Sequence, residues 1–218
     1  MRSPLVALVT TGLLAATAPA ANAETWDARD ARRDVDTYTY SSDPPPCGTS
    51  TDGTDPNDKL RDITRLRVDH DPDTITVRVS MRELRRRGAD TSWTIHLRVP
   101  AGSFFVDVIR AQPSGKLLTF LAKEPHFTPP DDCGHSFGTS SGRACEGLAA
   151  TLDPGHGVLE VTLPRECVKE PRWVKVGVAV SGFTGTAEAF TIHDDAWPPP
   201  GVESSGYVPP YGPRVRPS

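Results

Sequence analysis

Apolar and polar residues alternate with a period of two along two central stretches of the chain. In Thr74–Met81 every second residue is apolar and the intervening ones are polar, and Ser92–Val99 follows the same pattern. Side chains of a β-strand point alternately to the two faces of a sheet, so each segment buries one face and leaves the other in water. This arrangement is typical of antiparallel sheets with one covered face.

Eight further segments are rich in β-branched and aromatic residues and are bounded by turn residues. They are residues 35–40, 63–68, 104–109, 116–122, 147–152, 158–163, 173–181 and 188–193. No segment shows a sustained helical period. About ten strands at this spacing predict an all-β chain, folded as an antiparallel β-sandwich with jelly-roll or immunoglobulin-like layering.

Residues 1–23 have the organisation of a cleavable export signal. Arg2 supplies a positive start, residues 5–16 form a mainly apolar run, and Ala21-Asn22-Ala23 has the small-x-small form that signal peptidase cuts. The apolar run is too short to anchor the chain in a bilayer. The sequence therefore predicts a secreted, extracellular protein that begins at Glu24 and keeps no membrane anchor.

The remaining chain is predicted to hold one domain. Residues 24–33 are charged and form either a loose lead-in or an edge strand, and the β-sandwich covers residues 34–197. Within it, residues 41–57 consist mostly of proline, glycine, threonine and aspartate, which predicts a long exposed loop. Residues 198–218 carry seven prolines and cannot enter a sheet interior, so we expect an extended tail, either packed or free.

The charge balance excludes one class of partner. Without the signal, 23 lysines and arginines stand against 28 acidic residues, a formal charge of −5. A nucleic-acid-binding protein would show a concentrated basic stripe instead. The dense basic cluster at residues 82–87 lies between two strand patterns, which favours a solvated turn or short helix over a phosphate-binding site.

Four cysteines, Cys47, Cys133, Cys145 and Cys167, predict two disulfides in an exported chain. If residues 155–157 close a hairpin as a three-residue loop, Cys145 lies directly opposite Cys167, at a distance that a disulfide accepts. Cys47 then pairs with Cys133 by elimination. The rival pairing of Cys133 with Cys145 would close only a loop rich in glycine and serine, and a one-residue bulge would shift the register.

The last third of the chain carries short blocks built around proline, tryptophan and cysteine. They are residues 145–148 (Cys-Glu-Gly-Leu), 163–167 (Leu-Pro-Arg-Glu-Cys), 171–177 (Pro-Arg-Trp-Val-Lys-Val-Gly), 194–196 (Asp-Asp-Ala) and 212–215 (Gly-Pro-Arg-Val). This pattern resembles that of uncharacterised exported actinobacterial proteins with Pro-Arg-x-Cys and Pro-x-Trp-Val-x-Val-Gly motifs. The resemblance covers most of the chain after the signal, and its specific part is about the last 75 residues. It implies a β-sandwich and supports a Cys145–Cys167 bridge, whereas Cys47 and Cys133 do not match the pattern; it implies no activity.

Several carboxylates are grouped in the sequence as candidate metal ligands. One loop contains Asp52, Asp55, Asp58 and Asp62. Hard oxygen ligands suit Ca²⁺, but the spacing is irregular and is not that of an EF-hand, so a soluble turn-rich loop without a cofactor is the favoured interpretation. Residues 69–71 (Asp-His-Asp) and 193–195 (His-Asp-Asp) also offer two or three ligands each, at predicted strand ends where aspartate commonly caps a turn.

Catalytic motifs are weak. Residues 138–142 match Gly-x-Ser-x-Gly, but a nucleophile elbow needs a strand before the serine and a helix after it, and no helix is predicted here. The many acidic residues allow a carboxylate pair for hydrolysis, yet no motif selects one. Among the tryptophans, Trp93 is predicted to be buried. Trp173 is the candidate for a ligand-binding aromatic, provided that the face of its strand opposite the valines is wet.

These observations predict a secreted non-catalytic β-sandwich protein that binds a carbohydrate, the cell envelope or a protein partner. The alternatives are an extracellular hydrolase with an unrecognised carboxylate pair, or a protease inhibitor whose exposed loop is residues 131–143. A binding module requires a shallow aromatic face, and a hydrolase requires a deep pocket with two convergent acids. An inhibitor requires a rigid convex loop beside a disulfide.

Overall fold

The computed structural model describes residues 24–85, 91–111, 114–129, 132–133, 138–186, 188–197 and 211–217. The export signal predicted at residues 1–23 lies outside this part of the chain. Within it, regular structure consists of β-strands and one short 3₁₀ turn, Arg165–Val168, which confirms the all-β prediction. In the described ranges, no helix is long and apolar enough to cross a membrane.

Fifteen strands are formed by the described residues. They are β1 (Glu24–Arg29), β2 (Asp36–Ser41), β3 (Thr49–Thr54), β4 (Ile63–His70), β5 (Thr74–Met81), β6 (Ser92–Val99), β7 (Gly102–Ala111), β8 (Lys116–Lys123), β9 (His126–Phe127), β10 (Gly138–Thr139), β11 (Gly142–Arg143), β12 (Ala149–Asp153), β13 (Val158–Pro164), β14 (Lys175–Gly185) and β15 (Ala189–Trp197).

The strands form two antiparallel sheets that pack face to face. The smaller sheet has five strands in the order β1-β4-β5-β13-β12, and the larger has eight in the order β11-β8-β7-β6-β14-β15-β2-β3. Strands β9 and β10 form a separate pair. Because the larger sheet has three more strands, part of its area extends beyond the smaller one.

The core lies between the sheets and follows the predicted alternation. Ile75, Val77 and Val79 of β5 are buried, and so are the alternating apolar residues of β6, including Trp93. Burial of each such side chain contributes about 1.5–3 kcal/mol. The two strands with the clearest period-two pattern therefore supply facing halves of the core.

All ten predicted strands are present, together with five further strands. Three of these, β9, β10 and β11, are only two residues long. β1 shows that residues 24–29 form an edge strand, paired with β4 through Trp26 opposite Val68. β3 lies in the predicted loop 41–57; it is exposed along its whole length, so it has no hydrophobic alternation by which to recognise it.

Both predicted disulfides are present, with Cα–Cα distances of 5.2 Å for Cys47–Cys133 and 5.6 Å for Cys145–Cys167. The register used to predict the second pair is wrong by one residue. Asp153 lies opposite Val158, so four residues form the hairpin loop rather than three. The β12–β13 ladder ends at Ala149 opposite Thr162, and β13 itself ends at Pro164. The 3₁₀ turn that follows β13, rather than direct opposition, brings Cys167 to Cys145.

The C-terminal segment 211–217 packs on the domain. Val215 is buried, and its N–H and carbonyl exchange hydrogen bonds of 2.8 and 2.9 Å with Val174. The Nδ1–H of His70 donates to the Val215 carbonyl over 3.0 Å. Of the two options for the tail, the packed one therefore holds for these residues.

The anchoring of this segment is expected to weaken in acid. Burial lowers the pKa of His70 below 6.5, so this histidine binds a proton less readily in the folded protein than in the unfolded chain. Stability is therefore lost as the pH falls through about 6.5. Urea unfolding of the wild type and of His70→Gln, which does not titrate, measures this difference; the exposed His156→Gln is the control. Equal pH dependence in wild type and His70→Gln would contradict the assignment.

Candidate functional site

All large hydrophobic side chains that are exposed among the described residues lie on one surface, the outer face of the eight-stranded sheet. They are Tyr38, Ile109, Leu118, Phe120 and Phe183. The strand register places them there, because directly opposed residues and residues two apart share a face. Ile109 lies opposite Leu118 and Ser92, and Ser92 lies opposite Ser181, two residues before Phe183.

Five residues at one end of this face form a cluster that we call the aromatic patch: Tyr38, Tyr40, Phe183, Phe190 and Ile192. Ile192 lies opposite both Phe183 and Tyr38, and Phe190 lies opposite Tyr40. The ring centroid of Phe190 is 5.3 Å from that of Phe183 and 5.1 Å from that of Tyr40, with interplanar angles of 35° and 31°. The patch is thus a continuous run of rings across three adjacent strands, and Phe183 is 46% exposed.

Polar groups border the aromatic patch. On β3, Asp52 lies opposite Tyr38 and Ser50 lies opposite Tyr40, and both are exposed. The next row of the same face contains Asp36 opposite Asp194. Burial raises the pKa of Asp36, and the nearby charge of Asp52 raises it further. Carboxylate and hydroxyl oxygens therefore lie beside the rings and can accept hydrogen bonds from a ligand.

Small residues separate the aromatic patch from the second apolar group, Ile109, Leu118 and Phe120. The outward residues of β14 are Gly177, Ala179 and Ser181. Beside them the Oγ atoms of Ser92 and Ser181 are 2.9 Å apart. The outer face is therefore exposed at the aromatic patch and at the second apolar group, whereas His96, Phe105 and Gly177, farther along the same face, are buried.

The outer face of the five-stranded sheet has the opposite character. Arg78 Nε donates to Glu160 Oε2 at 2.6 Å, and Arg78 Nη1 to Asp69 Oδ2 at 2.5 Å. Asp69 also accepts hydrogen bonds from Arg67 and Thr25. These charged groups are paired with one another, so few of them are free to bind a ligand, and any new ion pair on this exposed face would be weakened by solvent.

Four aspartates meet in a second cluster, between the sheets. Asp62 Oδ2 accepts the Arg33 N–H and Arg82 Nη1, both at 2.9 Å, and Asp195 Oδ2 accepts the Ile63 N–H at 2.5 Å. Burial, together with the charges of Asp30, Asp34 and Asp62, raises the pKa of Asp195 to about 8. Burial also raises the pKa of Asp30 to about 7.

The aspartate cluster does not open into a substrate cleft. A polar depression of about 560 Å³ lies nearby and is lined by Arg29, Asp30, Arg32, Thr64, Arg65 and Ser80. Of the four aspartates, only Asp30 lines it, while Asp62 is fully buried. Among the described residues, the acids that converge most closely, Asp62 and Asp195, are both buried, so they are not placed to flank a bound polysaccharide.

The four aspartates of the loop considered as metal ligands are divided among three places, with Asp62 in the buried cluster just described. Asp52 lies beside the aromatic patch, whereas Asp55 and Asp58 lie near His193, with ligand atoms within 4.8 Å of one another. Asp58 is bound to Arg61, with Nη1–Oδ2 at 2.7 Å, and accepts the N–H groups of Leu60 and Arg61 at 2.9 and 3.2 Å. A cation there would compete with these partners.

Trp173 lies outside the aromatic patch. It precedes β14, is half-buried, and has the Arg214 guanidinium 4.7 Å from its ring centroid. The C-terminal segment therefore covers one face of the ring, in a cation–π contact.

The remaining sequence motifs take up structural positions. Strands β10 and β11 flank the exposed Ser140, and among the described residues no helix follows it. In the Asp-His-Asp motif, Asp69 binds arginines and His70 binds the C-terminal segment. In the His-Asp-Asp motif, successive side chains point to opposite sides of β15, so Asp194 lies on the outer face and Asp195 in the buried cluster.

Sequence reasoning did not identify the aromatic patch or the aspartate cluster. Large apolar residues that alternate with threonine, at residues 38–40 (Tyr-Thr-Tyr) and 190–192 (Phe-Thr-Ile), were the available signal for the patch. The aspartates come from distant segments with no common motif. Comparison of the chain with protein-family models, with curated proteins and with solved structures gave no significant match, so function rests on the geometry of these sites.

Proposed function

We propose that this protein is a secreted, non-catalytic module that binds a carbohydrate chain on the aromatic patch. The observation that carries the proposal is the run of contacting rings, Phe183, Phe190 and Tyr40, which are partly exposed on the outer face of the eight-stranded sheet. Exposed apolar groups of this kind mark interaction sites. Two disulfides support a location outside the cytoplasm.

The chemistry of the patch suits a sugar better than a wholly apolar ligand. Aromatic rings pack against the C–H faces of sugar rings, while Asp52 and Ser50 at the border accept hydrogen bonds from hydroxyl groups. Three neighbouring strands span about 10 Å, comparable with the length of a disaccharide. The acidic chain disfavours polyanions, so the ligand class is a neutral or amino-sugar polysaccharide.

The alternative of a hydrolase has less support. Its acids would have to flank a bound substrate, but Asp62 and Asp195 are buried between the sheets. The inhibitor alternative stays a prediction, because part of its loop, residues 134–137, lies outside the described residues.

The Phe183→Ala/Phe190→Ala double variant is expected to lose at least tenfold in affinity for the polysaccharide that retains the wild type. Each ring contact is worth about 0.5–1.5 kcal/mol, and tenfold corresponds to about 1.4 kcal/mol. Affinity electrophoresis and pull-down on neutral, chitin-type and anionic polysaccharides provide the measurement. Phe120→Ala is the matched control, because Phe120 is equally exposed on the same face but outside the patch, and it should change affinity less than twofold.

Two outcomes would contradict the proposal. In the first, none of the polysaccharides retains the protein, and the protein instead captures a protein partner through the same aromatic rings. The other is release of soluble sugar from a retained substrate, which would indicate hydrolysis. Equal thermal midpoints of the variants and the wild type would show that any loss of affinity reflects the surface rather than the fold.

A further inference from the structure

We propose that Asp34, Asp62 and Asp195 bind one Ca²⁺ ion between the two sheets. Each residue offers a carboxylate oxygen, and these atoms lie within 4.8 Å of one another. Asp62 is fully buried and Asp195 almost so. This inference is independent of the proposed carbohydrate site.

Unsatisfied buried oxygens point to a missing ligand. No hydrogen-bond donor in the described part of the chain reaches Asp62 Oδ1, although the Asp62 side chain has no exposed area. Asp34 Oδ1 and Asp30 Oδ2 are buried in the same way without a donor. A buried polar atom without a partner costs free energy, so three such oxygens in one cluster indicate a bound cation.

The local backbone holds these carboxylates in place. The Arg33 N–H donates to Asp62 Oδ2, which fixes the loop after β1 and so positions Asp34. The Ile63 N–H donates to Asp195 Oδ2, which ties the start of β4 to β15. Each hydrogen bond uses one oxygen of its aspartate, and the orphaned Oδ1 of Asp62 remains for the ion.

When they are ionised, the carboxylates of the cluster repel one another, and their negative charge requires compensation. Arg82 contacts Asp62, with Nη1–Oδ2 at 2.9 Å. Asp30, Asp34 and Asp195 add three further carboxylates to the same cluster. A divalent ion would offset two of these charges in a region where unpaired charges are costly.

The three carboxylate ligands favour Ca²⁺ over other divalent ions. Carboxylate oxygens suit hard cations, and Ca²⁺ accepts irregular geometry with backbone carbonyls and water completing its shell. Mg²⁺ requires near-ideal octahedral geometry, and Zn²⁺ prefers nitrogen and sulfur ligands. The ion would join the loop after β1, the residue before β4 and strand β15, and would therefore link the two sheets.

The experiment is calcium titration of the mature chain after treatment with EDTA, by isothermal calorimetry and by thermal unfolding. We expect one Ca²⁺ per chain, a higher thermal midpoint, and at least tenfold weaker binding of Mg²⁺. Asp195→Asn should weaken Ca²⁺ binding at least tenfold. Asp55→Asn is the matched control, since it changes an aspartate of the separate cluster formed by Asp55, Asp58 and His193, and it should leave the affinity within twofold.

Absence of heat and of any midpoint shift at millimolar Ca²⁺ would overturn the proposal. So would a loss of binding in Asp55→Asn that Asp195→Asn does not share. If Asp195→Asn does not fold, Asp34→Asn replaces it, because Asp34 is only partly buried and supplies a ligand from a loop. Unchanged binding in a folded Asp34→Asn variant would likewise exclude the site.

Discussion

Replacing both Cys47 and Cys133 by serine is expected to lower the free energy of unfolding by about 4 kcal/mol. The two residues are separated by 86 positions, so their bond removes much of the freedom of the unfolded chain. The shorter loop of the Cys145–Cys167 bridge, with a separation of 22, should contribute about 3 kcal/mol. Equilibrium urea unfolding of the two double-serine variants measures both values.

The critical result is which of the two double-serine variants loses more stability. If the Cys145/Cys167 double variant is the less stable one, loop length does not govern the stabilisation, and the native contacts around that bridge do. Both half-cystines of this bridge pack against the hydrophobic core, which gives the alternative a structural basis. Reduction of the wild type under the same conditions should destabilise it more than either variant alone.

Trp93→Ala is expected to cost about 4 kcal/mol of stability, the range found for large aromatic residues removed from a core. Trp93 is fully buried on β6 and lies opposite Val108 and Val180 on the neighbouring strands. The Arg110 guanidinium is 5.3 Å from the centroid of its ring. The variant would therefore create a cavity and also remove a cation–π contact from a buried arginine.

Phe120→Ala is the matched control for this prediction. Phe120 is 50% exposed on β8, in the same sheet, so its removal leaves no cavity and should cost less than about 1 kcal/mol. Unfolding in urea, followed by circular dichroism, measures both variants. Similar losses for Trp93→Ala and Phe120→Ala would mean that Trp93 does not lie in the core.

The strands that sequence analysis predicted best are those in which apolar and polar residues alternate along the chain. In β5 and β6 the apolar residues are buried as predicted, but on the opposite faces, predicted to lie in water, Thr76 and His96 are also buried. β3 was interpreted as loop because a strand exposed on both faces shows no alternation. Its backbone pairs with β2 all the same, since hydrogen bonding in a ladder does not depend on side-chain polarity.

The disulfides show how a correct pairing arose from an inexact register. Cysteine number and separation restricted the pairings to few, and both predicted bonds exist. The expected three-residue loop was one residue too short. The observed register places Ala150 on the core side of β12, opposite Val161, whereas a three-residue loop would place Ala149 there. A one-residue shift has this effect because side chains alternate with period two.

Local sequence patterns were sufficient to predict the all-β class, the buried faces of the regular strands and the favoured cysteine pairs, because these depend on neighbouring residues or on very few alternatives. The fold, by contrast, sets which outward face carries the exposed aromatics. It also decided that Asp34, Asp62 and Asp195, far apart in the chain, share one buried site. Both results depend on strand order within and between the sheets, and local periodicity contains no information about that order.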